Sequence, residues 1–108
     1  MASLIYSVLH DATTTISDGK IINIKEAKEL GLSISGTSTS FTVEFYGSID
    51  GVNYDLIEGS KMSNSLPFIT STISVGLFSI DIAALVYFKA KISAIANGNV
   101  SVTAHAII

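Results

Sequence analysis

Residues Phe41 to Ile57 read FTVEFYGSIDGVNYDLI, and the spacing of their apolar side chains decides the fold class. Phe41, Val43 and Phe45 fall on alternate positions, with Thr42, Glu44 and Tyr46 between them. Successive side chains of a β-strand point to opposite faces, so the first three share one buried side. Asp50-Gly51 supplies a tight turn, and a second strand follows toward Ile57. Half of a sheet is written here, with no catalytic grouping in it.

Toward the C-terminus, Val86, Phe88, Ala90, Ile92 and Ala94 alternate with Tyr87, Lys89, Lys91 and Ser93, the cleanest amphipathic strand of the chain. Asn97-Gly98 follows and signals a hairpin, because a type I′ turn needs positive φ at both positions. Val100, Val102, Ala104 and Ala106 then alternate with Ser101, Thr103 and His105.

Toward the N-terminus, Ser3 to Leu9 predicts a first strand, with Leu4, Tyr6 and Val8 on one side and Ser3, Ile5 and Ser7 on the other. Asp11 to Ser17 reads as a loose edge segment, Asp18-Gly19 as a turn, and Lys20 to Ile24 and Leu30 to Ser35 as short strands. Ile24 to Leu30 is helix-like, with Asn23 as cap, Glu26 in the capping-box position and Gly31 as terminator. So short a piece sustains one or two turns at most. Gly36 to Ser40 is a turn, and Glu58 to Leu66 is the longest predicted loop. Pro67 lacks an amide proton and marks a strand start or an edge. Phe68 to Val75 and Leu77 to Ile82 are further strands separated by Gly76. Short strands at even spacing with Gly, Asn and Asp turns predict an all-β, antiparallel, jelly-roll-like sandwich.

An echo runs through the chain. Ile22-Asn23-Ile24, followed by Leu30, Leu32, Ile34 and Ser35, reappears 58 positions on as Ile80-Asp81-Ile82 followed by Phe88, Ala90, Ile92 and Ser93. Asn23 and Asp81 would each cap a brief turn through a side-chain oxygen. If the echo is structural, two similar halves face each other across one core.

Composition narrows the function. At 108 residues the chain predicts one domain, spanning 1–108. Folding would remove roughly 65% of the unfolded chain's accessible surface. There is no cysteine, hence no disulfide, thiolate nucleophile or thiolate metal site. All six basic residues are lysine, and the missing arginine argues against specific nucleic-acid recognition. Mean hydropathy is +0.55 with only 14% charged residues, which raises the question of a membrane. The longest weakly charged stretch, Leu66 to Phe88, carries Pro67, Ser71, Thr72, Ser74 and Asp81 and alternates like strands, so no membrane span is expected. Met1-Ala2-Ser3 lacks the basic start of a secretion signal. So little charge on a small soluble domain instead predicts an exterior partly covered by copies of itself or by a larger assembly.

No catalytic or cofactor site is expected. His10 and His105 lie near opposite termini and read as surface or edge residues. Phosphate loops, HExxH and clustered Cys/His motifs are absent. Asp50, Asn53, Asp55 and Glu58 offer hard oxygens, but without the spacing of a calcium loop, and no metal is expected. Tyr46, Tyr54 and Tyr87 fall on or near polar faces and are the candidate interface or ligand contacts, able to anchor a protein or stack on a glycan.

The segment Tyr46-Gly47-Ser48-Ile49-Asp50-Gly51-Val52-Asn53-Tyr54, together with the Ile80-Asp81-Ile82, strand, Asn97-Gly98, strand ending, resembles small virion proteins of tailed bacteriophages and prophages. The resemblance spans about Ile21 to Ile107, with its specific parts at Phe41–Ile57 and Ser79–Thr103. It implies a β-sandwich made in the host cytoplasm and built into a phage head or tail. Its partners would be copies of itself and other virion proteins, with no catalytic residues. The same turn also resembles discoidin-like carbohydrate-binding sandwiches, which run longer and commonly carry cysteines. That resemblance implies a glycan-binding or host-surface-binding module instead.

Overall fold

A computed structural model describes residues 4–108, apart from the side chains of residues 4, 5, 65 and 66. Among the described residues eleven strands run in chain order as β1 (Leu4–Thr13), β2 (Ile22–Asn23), β3 (Glu29–Gly36), β4 (Ser40–Ser48), β5 (Asp55–Leu56), β6 (Gly59–Lys61), β7 (Asn64–Ile69), β8 (Ser71–Thr72), β9 (Gly76–Ile80), β10 (Tyr87–Ala96) and β11 (Val100–Ile107). They form two antiparallel sheets, ordered β1-β11-β3-β9-β6-β7 and β2-β10-β4-β5, with β8 joined to β4. The expected all-β sandwich is therefore what the chain builds, with no helix among the described residues.

Alternation supplies the core. Phe41, Val43 and Phe45 of β4 are buried, as are Phe88, Ala90 and Ile92 of β10. The other sheet meets them with Leu32, Ile34, Phe78, Val102 and Ala104. Phe45 and Phe78 touch across the two layers, their ring centroids 6.0 Å apart.

Several local expectations are corrected. The Ile24–Leu30 piece is a turn, closed by Ala27 N donating to Ile24 O at 3.0 Å and capped by Asn23 Oδ1 accepting from Lys25 N at 2.9 Å. Ile24 and Leu30 are both buried, the first directly after β2 of the smaller sheet and the second on β3 of the larger, so the chain between them must cross the core's end rather than coil. Glu58–Leu66 is largely the β6–β7 hairpin instead of a loop. Its Ser- and Gly-rich strands lack the bulky residues that mark a strand in sequence. The strand expected at Phe68–Val75 is split between β7 and β8, which lie in different sheets, although Pro67 does sit on the edge strand β7. The second arm of the opening hairpin exists, but only Asp55 and Leu56 pair with β4. Ser3, the expected start of the first strand, lies outside the described residues.

Asn97-Gly98 has positive φ at both positions as expected, yet it joins β10 of one sheet to β11 of the other and is an arch between layers. The β3–β4 connection is a second such arch beside it. Thr37 N and Ser38 N both donate to Asn99 O at 3.0 Å, and Asn99 N donates to Thr37 Oγ1 at 3.1 Å. A Cβ at residue 98 would come within 2.7 Å of Thr37 and Ser38 backbone atoms, so only glycine lets the arches lie this close.

The internal echo is structural. Ile22 pairs with Phe88, and 58 positions on Ile80 pairs with Leu30, the same pair with the halves exchanged. Both halves keep the Asx-capped turn: Ala83 N donates to Asp81 Oδ1 at 3.3 Å, and Leu85 N donates to Ile82 O at 2.9 Å. Val43↔Ile92 and Phe45↔Ala90 answer Val102↔Ile34 and Ala104↔Leu32, with β11 one position further on from β4 than the 58 that relates β10 to β3.

Candidate functional site

Two outer surfaces result, one on each sheet. On the five-stranded sheet the register sets Tyr46 opposite Lys89, Tyr87 opposite Ser48 and Glu44 opposite Lys91. The Lys89 ammonium sits 4.7 Å from the Tyr54 ring centre and 5.5 Å from that of Tyr46, with Asp18 Oδ1 at 3.7 Å. Tyr46 also donates its hydroxyl to Glu44 Oε1 at 3.4 Å. The Tyr87 ring lies where a Cβ at residue 51 would reach it at 3.1 Å, which places it against Gly51 of the 48–54 loop. All three candidate tyrosines thus converge on one half-buried patch, held by a lysine that sequence reasoning did not single out. The signal was available, since Lys89 alternates with Tyr87 on the polar side of β10.

The loop carrying Tyr54 is folded around one carboxylate. Asp50 Oδ1 accepts from Val52 N and Asn53 N at 2.8 Å and from Ser48 Oγ at 3.0 Å, while Oδ2 accepts from Asn53 Nδ2 at 2.8 Å. The Asn53 and Val52 amides, then the Asn53 and Ser48 side chains, hold the Asp50 carboxyl well below the usual carboxylate range. The Tyr54 hydroxyl is pushed up, first by loss of solvent and then by Tyr87 and Asp50 nearby.

The outer face of the six-stranded sheet has the opposite character. Its register lays Tyr6, His105, Gly31, Ser79 and Ser60 in one row and Val8, Thr103, Ser33 and Leu77 in the next. Neither row contains a Lys, Asp or Glu. Tyr6, Leu77 and Val8 are 62%, 55% and 44% exposed, and Met62, also exposed, lies over Gly31. Tyr6 stands edge-on to His105 with ring centres 4.8 Å apart. On β1 Tyr6 and Val8 face solvent, while Ser7 between them points inward and its Oγ has no partner among the described residues.

The histidines take different places. His105 is half-exposed on the uncharged face, as its alternation suggested. His10, expected at the surface, is 3% exposed. Register shifts on either side of it turn β1 so that both Leu9 and His10 point inward. Its Nε2 donates to Ala90 O at 2.5 Å, tying β1 to β10 of the other sheet, and Thr13 Oγ1 lies 3.3 Å from Nδ1. No three His, Asp or Glu residues gather to hold a metal among the described residues. Asp50, Asp55 and Glu58 line adjoining surface depressions without converging on a common point.

The sequence model of the XepA family matches residues 4–106. The chain belongs to the XepA family. No curated protein sequence matches it. Among solved structures, the SPBc2 prophage-derived protein YomS superposes with a TM-score of 0.91 at 22% identity, over 100% of this chain and 96% of that one. The PBSX exported protein XepA superposes with a TM-score of 0.93 at 22% identity, over 99% of this chain and 38% of that one. This chain therefore spans well under half of that exported protein, and at such identity the likeness is one of fold.

Proposed function

We propose that this XepA-family chain is a non-enzymatic structural protein of a phage, acting through contacts with copies of itself or with neighbouring virion proteins. The observation that carries the reading is the outer face of the six-stranded sheet, where Tyr6, Val8 and Leu77 stand exposed in two rows without Lys, Asp or Glu. Covering these two rows removes apolar area from water at about 25 cal/mol per Å² and strands no charge within them, Glu29 lying in the adjoining row. Family membership and the fold likeness to a prophage-derived protein support a phage setting. The other structural relative is named as exported, which extends the reading to a product acting outside the cell that makes it. Light scattering at micromolar concentration tests the proposal. Particles of several chains are expected, and a mass of one chain that binds no other protein of its phage would overturn it.

A second reading is a glycan- or host-surface-binding module, favoured by the convergence of Tyr46, Tyr54 and Tyr87. It ranks lower because Lys89 already lies over two of the three rings, where a sugar would stack. Glycan-array binding that disappears in Tyr54→Ala would raise it to first place.

A further inference from the structure

Three shallow depressions adjoin along the side of the sandwich where β5 ends the smaller sheet. Their volumes are about 400, 250 and 270 Å³. The first shares Ile57 and Leu85 with the second, and the second shares Glu58 and Asp81 with the third, so they form one trough. Its floor is apolar. Ile57 and Leu85 pack against the core and close over Gly47, where a Cβ would lie within 3.1 Å of both, and the exposed Phe68 ring bounds the far end. Its rim carries Asp50, Asp55, Glu58 and Asp81, and no lysine or histidine lines any part of it.

We propose that this trough is a docking groove for an extended partner segment in which lysine or arginine alternates with aliphatic residues. The charge pattern selects that chemistry: four carboxylates of one sign along a low-dielectric cleft attract cations and repel acidic chains. Asp55 and Glu58 are exposed, and their carboxylates make no hydrogen bond or ion pair among the described residues. Asp81 N donates to Glu58 O at 3.0 Å, which fixes the two acidic residues side by side. Lysine stems lie well on apolar floors while their ammonium heads reach a rim, and alternation puts every second side chain down. An extended segment also suits β5, whose Asp55 and Leu56 pair with β4 on one side and end the sheet on the other. The third depression reaches Ser79 and Ser60 at the end of the Tyr6 row, so the trough borders the uncharged rows, while its acidic rim and its Ile57–Leu85 floor lie outside them.

Fluorescence anisotropy with a labelled peptide of about ten residues alternating lysine and valine tests the groove. Matched glutamate–valine and all-lysine peptides are the controls. Binding of the lysine–valine peptide is expected, weaker binding of all-lysine, and none of glutamate–valine, with affinity falling as salt rises. The double substitution Asp55→Asn with Glu58→Gln removes two exposed rim charges and should weaken binding roughly three- to tenfold. Both positions are at the surface, and an unchanged circular dichroism spectrum verifies the fold. Unchanged affinity in the double variant, equal affinity for all-lysine, or no binding of any peptide would each overturn the proposal.

Discussion

The two sheets turn similar inward faces to one core and very different outward faces to solvent. On the smaller sheet, Lys89, Tyr46, Tyr54, Glu44 and Asp18 satisfy one another, and Asp50 ties the adjacent loop into a closed set of hydrogen bonds. On the larger sheet, the rows through Tyr6 and Val8 hold hydroxyls, glycine and exposed apolar groups with little to satisfy them but water. One face is satisfied by its own side chains, while the other is the one that the proposed assembly would cover. Because the halves of the chain are related by an internal echo, the contrast cannot come from the shared core pattern. It comes from what alternates with that pattern: Glu44, Tyr46, Lys89 and Lys91 on one sheet, and Gly31, Ser33, Thr103 and His105 on the other.

The strongest way to break the contrast is to make the bland face resemble the other. Leu77→Lys puts a charge at an exposed position, so the folded monomer should change by no more than about 0.5 kcal/mol. If that face is covered in the assembly, the same substitution strands an unpaired cation in the contact, and self-association should weaken by about a hundredfold or more. Light scattering across a concentration series measures this. Lys91→Leu on the opposite face should leave the mass unchanged, and equal effects on both faces would remove the distinction.

The next test concerns the self-satisfied face. Lys89→Met keeps the stem's packing and removes the ammonium from between two rings and Asp18. A loss of about 1 kcal/mol is expected from urea unfolding, since a partly buried cation–π pair adds to a weak ion pair. No loss of assembly should accompany it.

What the sequence disclosed follows the same line. Strands with bulky alternation, β4, β10 and β11, are legible because burial of one face imposes period two. The hairpin β6–β7 escapes notice because Gly59, Ser60 and Ser63 carry no such imprint and its place in the sheet is set by the pairing of β6 with β9. Asn97-Gly98 discloses its φ values and not its partner, since the same local geometry serves a hairpin or an arch. The three tyrosines were legible as polar-face aromatics, whereas their convergence with Lys89 depends on the β4–β10 register and on the 48–54 loop. The inward turn of His10 is set by bulges against β11, which composition does not encode.

On β1, Ser7 sharpens the comparison from inside. Its hydroxyl is buried without a partner among the described residues, on the inner side of β1 between the exposed Tyr6 and Val8. Ser7→Ala removes a desolvated polar atom and leaves only a small void. The fold should be unchanged or more stable by up to about 1 kcal/mol, read from thermal or urea unfolding. A marked loss of stability would mean that the hydroxyl bonds to a buried water, and that this edge of the larger sheet is better satisfied than the contrast supposes.

The smallest effect belongs to the loop of the self-satisfied side. Asp50 is held ionised in the fold by the Asn53 and Val52 amides, while in the unfolded chain it titrates near the usual aspartate value of about 3.9. A carboxyl whose folded pKa is depressed contributes stability in full above the unfolded value and loses it as pH falls toward the folded one. Wild type should therefore exceed Asp50→Asn in stability at neutral pH, and the gap should narrow steadily below about pH 4. Because the carboxylate is exposed, the gap will be modest, and the amide resonances of Val52 and Asn53 are its most sensitive reporters. Those resonances should stay in place through the range in which other carboxylates titrate. A gap independent of pH would show that the loop is held by the side chain's shape and not its charge, and the electrical part of the contrast between the two sides would then rest on Lys89 alone.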